Sequence, residues 1–305
     1  MHVDGGIVLA GVVSGCLVGL TGSGGGALIT PALVFVFGVH TPTAVASDLV
    51  AALAMRPVGA AVHLPRRPVD LRLGGRLAAG SVPGALAGTT LAGALGSGAV
   101  AARTLDLALG AALVGGAVAM SLRGRLVGSR VGSRVGSRAG SRAGSPVESP
   151  VGGRGASRGV TVALGAACGV LVGLTSVGSG SLMLVVLLAL EPGVDAHRLI
   201  SADLLQSVPL TAAAAIGAAA FGHVDASIAL SLVLGGVPAV AVGAALSTRL
   251  PERLLIPIVA VVVLAAGLRC LGFGAGEIAT LLLVAGSAAT AAAAASAFRR
   301  RSEVT

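Results

Sequence analysis

Gly19-Leu-Thr-Gly-Ser-Gly-Gly-Gly-Ala-Leu28 is an apolar, glycine-rich stretch that recurs once in the chain, as Gly173-Leu-Thr-Ser-Val-Gly-Ser-Gly-Ser-Leu182. The register of the two copies persists downstream, where Asp48 in the first copy matches Asp203 in the second. Glycine is a poor helix former, and helix breaks at matching places in two halves of a hydrophobic chain are typical of secondary transporters. We therefore expect two homologous membrane repeats.

The composition places the chain in a membrane. Of its 305 residues 55% are hydrophobic and 11% are charged, whereas about a quarter of the residues of a soluble globular protein are charged. Most apolar runs have the ~20 residues that cross a bilayer as a helix, and the alternating pattern of a membrane β-barrel is absent. We expect an all-α, polytopic fold. The apolar runs are 5–38, 44–64, 71–95, 103–122, 159–190, 197–221, 226–248, 252–271 and 276–298.

The net charge of +9 does not indicate a nucleic-acid partner, because the arginines lie in loops, in a linker and in the tail rather than on one folded basic face. We interpret them as topology signals and as contacts to lipid headgroups. The three cysteines, Cys16, Cys168 and Cys270, lack the spacing of a metal site. We expect neither a metal nor a cofactor.

Four segments follow from these patterns. Between the halves, the tetrapeptide Val127-Gly-Ser-Arg130 is repeated with small variations, and such a composition cannot build a core. We expect a flexible cytoplasmic linker, either a basic strip attracted to anionic lipid or, as we favour, a tether without a sequence-specific role. The segments are repeat one at 1–122, the linker at 123–158, repeat two at 159–271, and an extra helix with a basic tail at 272–305.

The first run of each repeat is too long for one crossing. As a continuous helix, residues 5–38 would extend about 51 Å, and the glycines between residues 22 and 26 divide the run into two arms of about 15 residues. Residues 159–190 divide in the same way around Gly178 and Gly180. Each arm suits a re-entrant hairpin or a broken helix. A hairpin plus three spans gives each repeat an odd number of crossings, so the second repeat should be inverted.

The arginines favour this inverted arrangement. With the linker in the cytoplasm, it places the arginines of 66–76, Arg198, the arginines of 249–253 and the tail at 299–301 on the cytoplasmic side, as the positive-inside rule requires. If every run crossed once, the tail and residues 249–253 would lie outside. We therefore expect a multi-pass protein of the cytoplasmic membrane.

Two matched carboxylates are candidates for coupling. Asp48 and Asp203 stand in apolar runs, where an ionisable side chain is costly and has a functional or structural partner. One hypothesis is cation or proton coupling. The other, which we favour, is a structural role, in which each carboxylate caps a helix N-terminus or accepts hydrogen bonds from the glycine-rich bend.

Arg56 is a candidate anion ligand. On a helix it shares a face with His63 and lies near the face of Asp48, and its place near the middle of an apolar run makes snorkelling difficult. Contact with an anion or an ion pair with Asp48 is weighed equally with a structural role. We interpret His63 as an interfacial side chain rather than a proton relay. Thr211 and Ala218 occupy the matching places, so a basic site would be asymmetric.

Small and hydroxyl-bearing residues surround both bends. Backbone N–H groups at half-helix ends bind oxyanions, and the alternative is that the small residues serve close helix packing. The candidate ligands are Thr21, Ser23, Gly24, Gly25, Gly26, Thr175, Ser176, Gly178, Ser179 and Gly180.

Several of these stretches resemble the TauE/SafE sulfite exporter family of membrane permeases, over roughly residues 5 to 271. The resemblance is carried by Gly19–Pro31, Ala46–Leu49, Arg56–His63, Gly173–Leu182 and Gly222–Asp225. It implies transport of small sulfur-containing anions, such as sulfite or organosulfonates, across the cytoplasmic membrane.

We therefore expect a secondary permease in which the two bends and Arg56 form the anion site and the halves rock against each other. The alternative is a non-transporting scaffold or accessory subunit, against which the matched ionisable residues argue. Assembly into a homo-oligomer is left open.

Overall fold

The computed structural model describes residues 4–21, 25–64, 70–95, 98–138, 157–177, 180–190, 196–221, 224–247 and 252–282, and within them it is helical. The predicted all-α class is confirmed. A short 3₁₀ turn covers Gly25–Leu28, and residues 275–282 are also helical. The main helices are α1 (Gly5–Thr21), α2 (Ile29–Phe35), α3 (Thr41–His63), α4 (Leu71–Leu95), α5 (Ala99–Arg138), α6 (Arg158–Thr175), α7 (Ser181–Leu190), α8 (Ala196–Ala220), α9 (Ala226–Leu246) and α10 (Glu252–Cys270).

The described helices suit a bilayer. Large apolar side chains such as Leu9, Ile216 and Val242 are more than half exposed, as expected of surfaces that face lipid. The helix α4 has 25 residues but is not among the most apolar ones, because glycine, serine and threonine lower its hydropathy. The chain is a multi-pass membrane protein. Within the described part of the chain, five segments are long and apolar enough to cross a membrane: Thr41–His63, Ala102–Leu122, Arg158–Thr175, Arg198–Ala220 and Ala226–Leu246.

Both predicted breaks are present. In the first copy α1 ends at Thr21 and α2 begins at Ile29, and in the second α6 ends at Thr175 and α7 begins at Ser181. The prediction of arms of about 15 residues is wrong, since the arms measure 17 and 7 residues in the first copy and 18 and 10 in the second. The short arm α2 is followed by Gly38, whose φ of 66° reverses the chain.

Glycines bring α4 and α6 into backbone contact. On each helix three glycines, one turn apart, face the other helix so closely that an added Cβ atom would overlap its backbone. Small residues at this spacing are the usual means of close packing between membrane helices. In α4 they are Gly80, Gly84 and Gly88, against Val162, Ala166 and Val170; in α6 they are Gly165, Gly169 and Gly173, against Leu77, Ser81 and Ala85.

The helices α1 and α9 pack in the same way. In the predicted repeat, α1 corresponds to α6 and α9 corresponds to α4. Gly15 meets the carbonyl oxygen of Gly236, and the equivalent Gly169 meets the carbonyl oxygen of Ser81. This crosswise pairing of the copies supports the predicted repeat. The remaining contacts join Gly11 to Leu232, Gly19 to Val240, Gly235 to Val8 and Gly243 to Cys16.

The directions of the helices support inversion. Residue numbers rise together in α1 and α9 and in α4 and α6, so each pair is parallel, and Met55 and Gly59 of α3 follow Gly236 and Val240 of α9 in the same sense. The connection from α3 to α4 reaches at most about 29 Å, less than the ~34 Å length of α3, so α4 must return antiparallel to α3. The first arms α1 and α6 therefore point in opposite directions.

The predicted linker and the predicted C-terminal helix are only partly described. The helix α5 continues to Arg138, so the first 16 residues of the predicted linker, from 123 to 138, are helical. The rest of that linker, at 139–156, lies outside the described residues, as does most of the extra C-terminal helix with its tail, at 283–305.

We expect Gly84→Ala to destabilise the protein, because the new methyl group would overlap the backbone of α6 at Ala166. Overpacking of this kind costs about 1–3 kcal/mol. Thermal unfolding of the purified protein in detergent measures the effect. Gly75→Ala is the matched control in the same helix, since nothing lies within 4 Å of its Cβ position. Equal melting temperatures for the two variants would contradict close packing at Gly84.

Candidate functional site

A cavity of about 50 Å³, mostly apolar but with three charged residues in its lining, lies between the two copies. By volume it holds about three or four water molecules. Its charged lining residues are Asp48, Arg56 and Asp203, which the sequence analysis singled out. The other lining residues are Val18, Ile29, Ala52, Met55, Gly59, Ala60, Ser176, Gly180, Leu204 and Ser207.

Asp48 is held by hydroxyl groups from two separate segments. Its side chain is 1% exposed, and its Oδ2 atom accepts hydrogen bonds from Thr30 Oγ1 at 2.6 Å and from Ser176 Oγ at 2.9 Å. Thr30 belongs to α2, whereas Ser176 follows α6 in the second copy. Hydrogen bonds to a charged group contribute about 1.5–3 kcal/mol each. The carboxylate of the first copy is therefore fastened to the bend of the second.

Ser176 has an uncommon backbone conformation at this bend. Its φ of 58° lies in the left-handed region, its N–H donates to Val172 O at 2.7 Å, and it ends α6. A side chain in this conformation costs about 1–2 kcal/mol relative to the right-handed one. The hydrogen bond to Asp48 offsets that cost and explains why a serine can stand where glycine is the usual residue.

The hypothesis that Asp48 and Asp203 cap helices is wrong. The helix α3 begins at Thr41 and α8 begins at Ala196, so both aspartates lie inside helices, in the turn after the one that needs capping. The other half of the structural hypothesis fits Asp48, which accepts a hydrogen bond from a bend residue. Aspartates that do cap helices include Asp70 and Asp225, whose Oδ1 atoms accept the first free N–H groups of α4 and α9.

Asp203 and Arg56 form the electrostatic centre of the cavity. Arg56 is attracted by both carboxylates, one from each copy. Asp203 is buried and its Oδ1 accepts a hydrogen bond of 3.3 Å from Gln206 Nε2. Arg56 therefore joins α3 of the first copy to α8 of the second by charge attraction.

His63 is buried within the protein at the end of α3, and its place at the membrane interface stays a prediction. The side chain is 6% exposed, and its Nε2–H donates to Gly19 O at 2.9 Å. It covers the last turn of α1, where carbonyl groups have no partner within the helix. The hydrogen bond fixes the end of α3 beside the first bend.

Of the other predicted ligands, some line the cavity, some lie elsewhere in the described structure, and some lie outside the described residues. Ser176 and Gly180 line the cavity, whereas Thr175 is buried and donates to Leu171 O at 2.7 Å. Gly25 and Gly26 open the 3₁₀ turn, and Thr21 ends α1, its side chain not being among those described. Ser23, Gly24, Gly178 and Ser179 lie outside the described residues.

The sequence analysis did not identify Thr30, Gln206 and Ser207. Thr30 and Gln206 hydrogen-bond the two carboxylates, and Ser207 lines the cavity. Their only signal in the sequence is a polar side chain in an apolar run, and many serines and threonines in membrane helices give the same signal while bonding to their own helix backbone.

The chain is similar to known proteins over most of its length. The family described as sulfite exporter TauE/SafE matches residues 7–270, which include both bends and the cavity. The chain is 35% identical over 266 residues to the probable membrane transporter protein YjnA of Bacillus subtilis (strain 168), and the match covers 86% of this chain and 98% of that protein. No solved structure matches the chain.

We expect Ser176→Ala to be less stable than Ser176→Gly. Both variants lose the hydrogen bond to Asp48, but alanine keeps the cost of a Cβ atom at positive φ and glycine does not. The difference should be about 1 kcal/mol, within the range measured for glycine and alanine at such positions. Thermal unfolding in detergent compares the two, and an alanine variant as stable as the glycine variant would contradict the left-handed conformation.

Proposed function

We propose, since the chain belongs to the TauE/SafE sulfite exporter family of membrane transporters, that the cavity around Arg56 binds the transported anion. The observation that carries the proposal is a guanidinium group in a small cavity between the two copies. A charged side chain inside a membrane protein is costly and is retained for a function.

Arg56 supplies the attraction for an oxyanion. Its planar guanidinium matches the oxygen atoms of a sulfur oxyanion with paired N–H donors, and its charge acts strongly in a cavity shielded from bulk water. Among the described residues that line the cavity, it is the one with a permanent positive charge.

Backbone groups at the second bend supply further donors. Gly180 lines the cavity and its carbonyl accepts from Leu184 N, which places it at the N-terminus of α7. The first N–H groups of a helix have no partner in the helix and favour an anion. The hydroxyl of Ser176 is already engaged with Asp48, so Arg56 and the start of α7 carry the binding.

The size of the cavity favours a small substrate. A volume of about 50 Å³ suits sulfite, with one sulfur and three oxygen atoms, better than a long organosulfonate. A larger anion would require the helices around the cavity to move apart.

The packing of the helices supports alternating access as the mechanism. The helices α1, α3 and α9 form one unit, and α4, α6 and α8 form another, with α3 packed against both α9 and α8 where the two units meet. The cavity lies between them, because Arg56 and Asp48 come from the first unit and Asp203 and Ser176 from the second. Rocking of the two units would open the cavity to one side of the membrane at a time.

The scaffold alternative explains less. Membership of a transporter family and a charged cavity between two units both indicate transport, whereas a scaffold needs neither a guanidinium nor two carboxylates in its interior.

We expect Arg56→Ala to lose transport of labelled sulfite into inside-out vesicles by about 10- to 100-fold, which corresponds to the loss of a charged hydrogen-bonding group. Arg56→Lys should retain part of the activity, because it keeps the charge but not the planar donor pair. Arg103→Ala, at an exposed position of α5, is the control and should transport like the wild type. Transport by Arg56→Ala at the wild-type rate would remove Arg56 from the site.

A further inference from the structure

The charges in the cavity do not balance for an anion. Among the described lining residues, Asp48 and Asp203 carry two negative charges and Arg56 carries one positive charge. An anion that entered with both carboxylates ionised would meet a site of net negative charge, and in a cavity of low polarity like charges repel strongly. Uptake of a proton by one carboxylate would remove this excess negative charge when an anion binds.

The side chain of Gln206 indicates which carboxylate this is. Gln206 is fully buried, its Nε2 donates to Asp203 Oδ1 at 3.3 Å, and its Oε1 atom has no hydrogen-bond partner. A buried acceptor without a donor costs about 1–3 kcal/mol. An ionised carboxylate has no proton to donate, whereas a protonated one offers an O–H group.

The geometry points to Asp203 as the proton-binding group of the transporter, paired with the amide of Gln206. When Asp203 takes a proton, its O–H donates to Gln206 Oε1 while Gln206 Nε2 still donates to the other carboxyl oxygen. The two planar groups then form two parallel hydrogen bonds. This inference rests on the proposed function, since it assigns the proton that accompanies the anion.

Asp48 is suited to the opposite role. Its Oδ2 atom accepts two hydroxyl hydrogen bonds, from Thr30 and Ser176. Donors of this kind favour the ionised form of a carboxyl group, and they fasten Asp48 to the second bend.

The two copies differ at the position of Gln206, whose amide is hydrogen-bonded to Asp203. Gln206 stands three residues after Asp203, and the residue three after Asp48 is Ala51, which is buried and apolar. An amide beside the carboxylate is therefore a property of the second copy alone. The duplicated positions have diverged into a fixed charge and a titrating one.

The other ionisable groups near Asp203 come from two helices. From α3 it faces Arg56, whose charge attracts the carboxylate, and Asp48, and from α6 it faces Cys168, which is buried. On α4, which packs against α8, the ionisable side chains are Arg72 and Arg76 in its first turns. Arg56 favours the ionised form of Asp203 as long as no anion is bound to the guanidinium group. Anion binding at Arg56 thus promotes protonation of Asp203.

The step conserves charge and atoms. Water on the open side of the membrane gives one proton to the Asp203 carboxylate, and the anion binds Arg56 in the same state. After the units rock, the anion leaves and the carboxylic acid returns its proton to water on the other side. Proton and anion move together, in the direction set by the sum of their gradients.

The test uses purified wild-type protein, Asp203→Asn, Asp48→Asn and Gln206→Leu in liposomes with labelled sulfite, with protein-free liposomes as the background. With the outside more acidic by one pH unit, co-transport of one proton should raise the wild-type accumulation ratio about tenfold. The ratio of Asp203→Asn should stay near one. The steady-state ratio is the appropriate readout, because a slow variant with intact coupling still reaches it. Asp48→Asn should retain the dependence on the pH gradient.

A measurement without substrate completes the design. Infrared difference spectra during a pH titration should show a protonated-carboxyl band that is absent in Asp203→Asn and present in Asp48→Asn. The band should move to higher frequency in Gln206→Leu, because the acid loses its acceptor. A merely structural role of Gln206 would leave the band in place.

Two results would overturn the inference while the proposed function stands: a tenfold ratio in Asp203→Asn, or wild-type accumulation driven by an alkaline exterior. If the wild type does not move sulfite at all, the proposed substrate is wrong. The infrared spectra then test the assignment of the proton by themselves, and a protonated-carboxyl band that is still present in Asp203→Asn overturns it.

Discussion

Close contact between helix backbones is the constraint on which the structure depends. The glycines of α1 and α9 and those of α4 and α6 let pairs of helices from different copies touch along several turns. Between membrane helices such packing replaces the hydrophobic effect as the source of association. Because each pair joins one helix of each copy, the copies interlock instead of lying side by side. The interlocking brings α3 and α8 to the centre, where their aspartates line one cavity.

The polar residues at the centre act as a connected set. Ser176 tolerates a left-handed backbone and bonds Asp48, Thr30 bonds the same oxygen atom, and Arg56 is attracted to both aspartates. Buried charges persist only when they are paired or hydrogen-bonded. The two copies differ here. Thr211 stands at the place that matches Arg56, and Ala51 stands at the place that matches Gln206.

Much of the fold could be predicted from the sequence, because the relevant signals are local. The apolar runs predict membrane helices, and the glycines after Thr21 and Thr175 predict the breaks that the structure contains. The length of the arms was predicted less well, since α2 stops early where Gly38 reverses the chain. Asp48 and Asp203 were found as candidates but not as interior helix residues, because a capping aspartate and a buried one look alike in sequence.

The sequence by itself determined the membrane environment, the helical class, the places of the two bends and the presence of a few costly ionisable residues. These properties depend on composition and on neighbours within a few turns. Only the tertiary structure decided that Ser176 binds Asp48, that Arg56 and both aspartates line one cavity, and that Gln206 Oε1 lacks a partner. Each of these is set by which distant segments meet, and the meeting depends on the crosswise packing of helices, which no local pattern specifies.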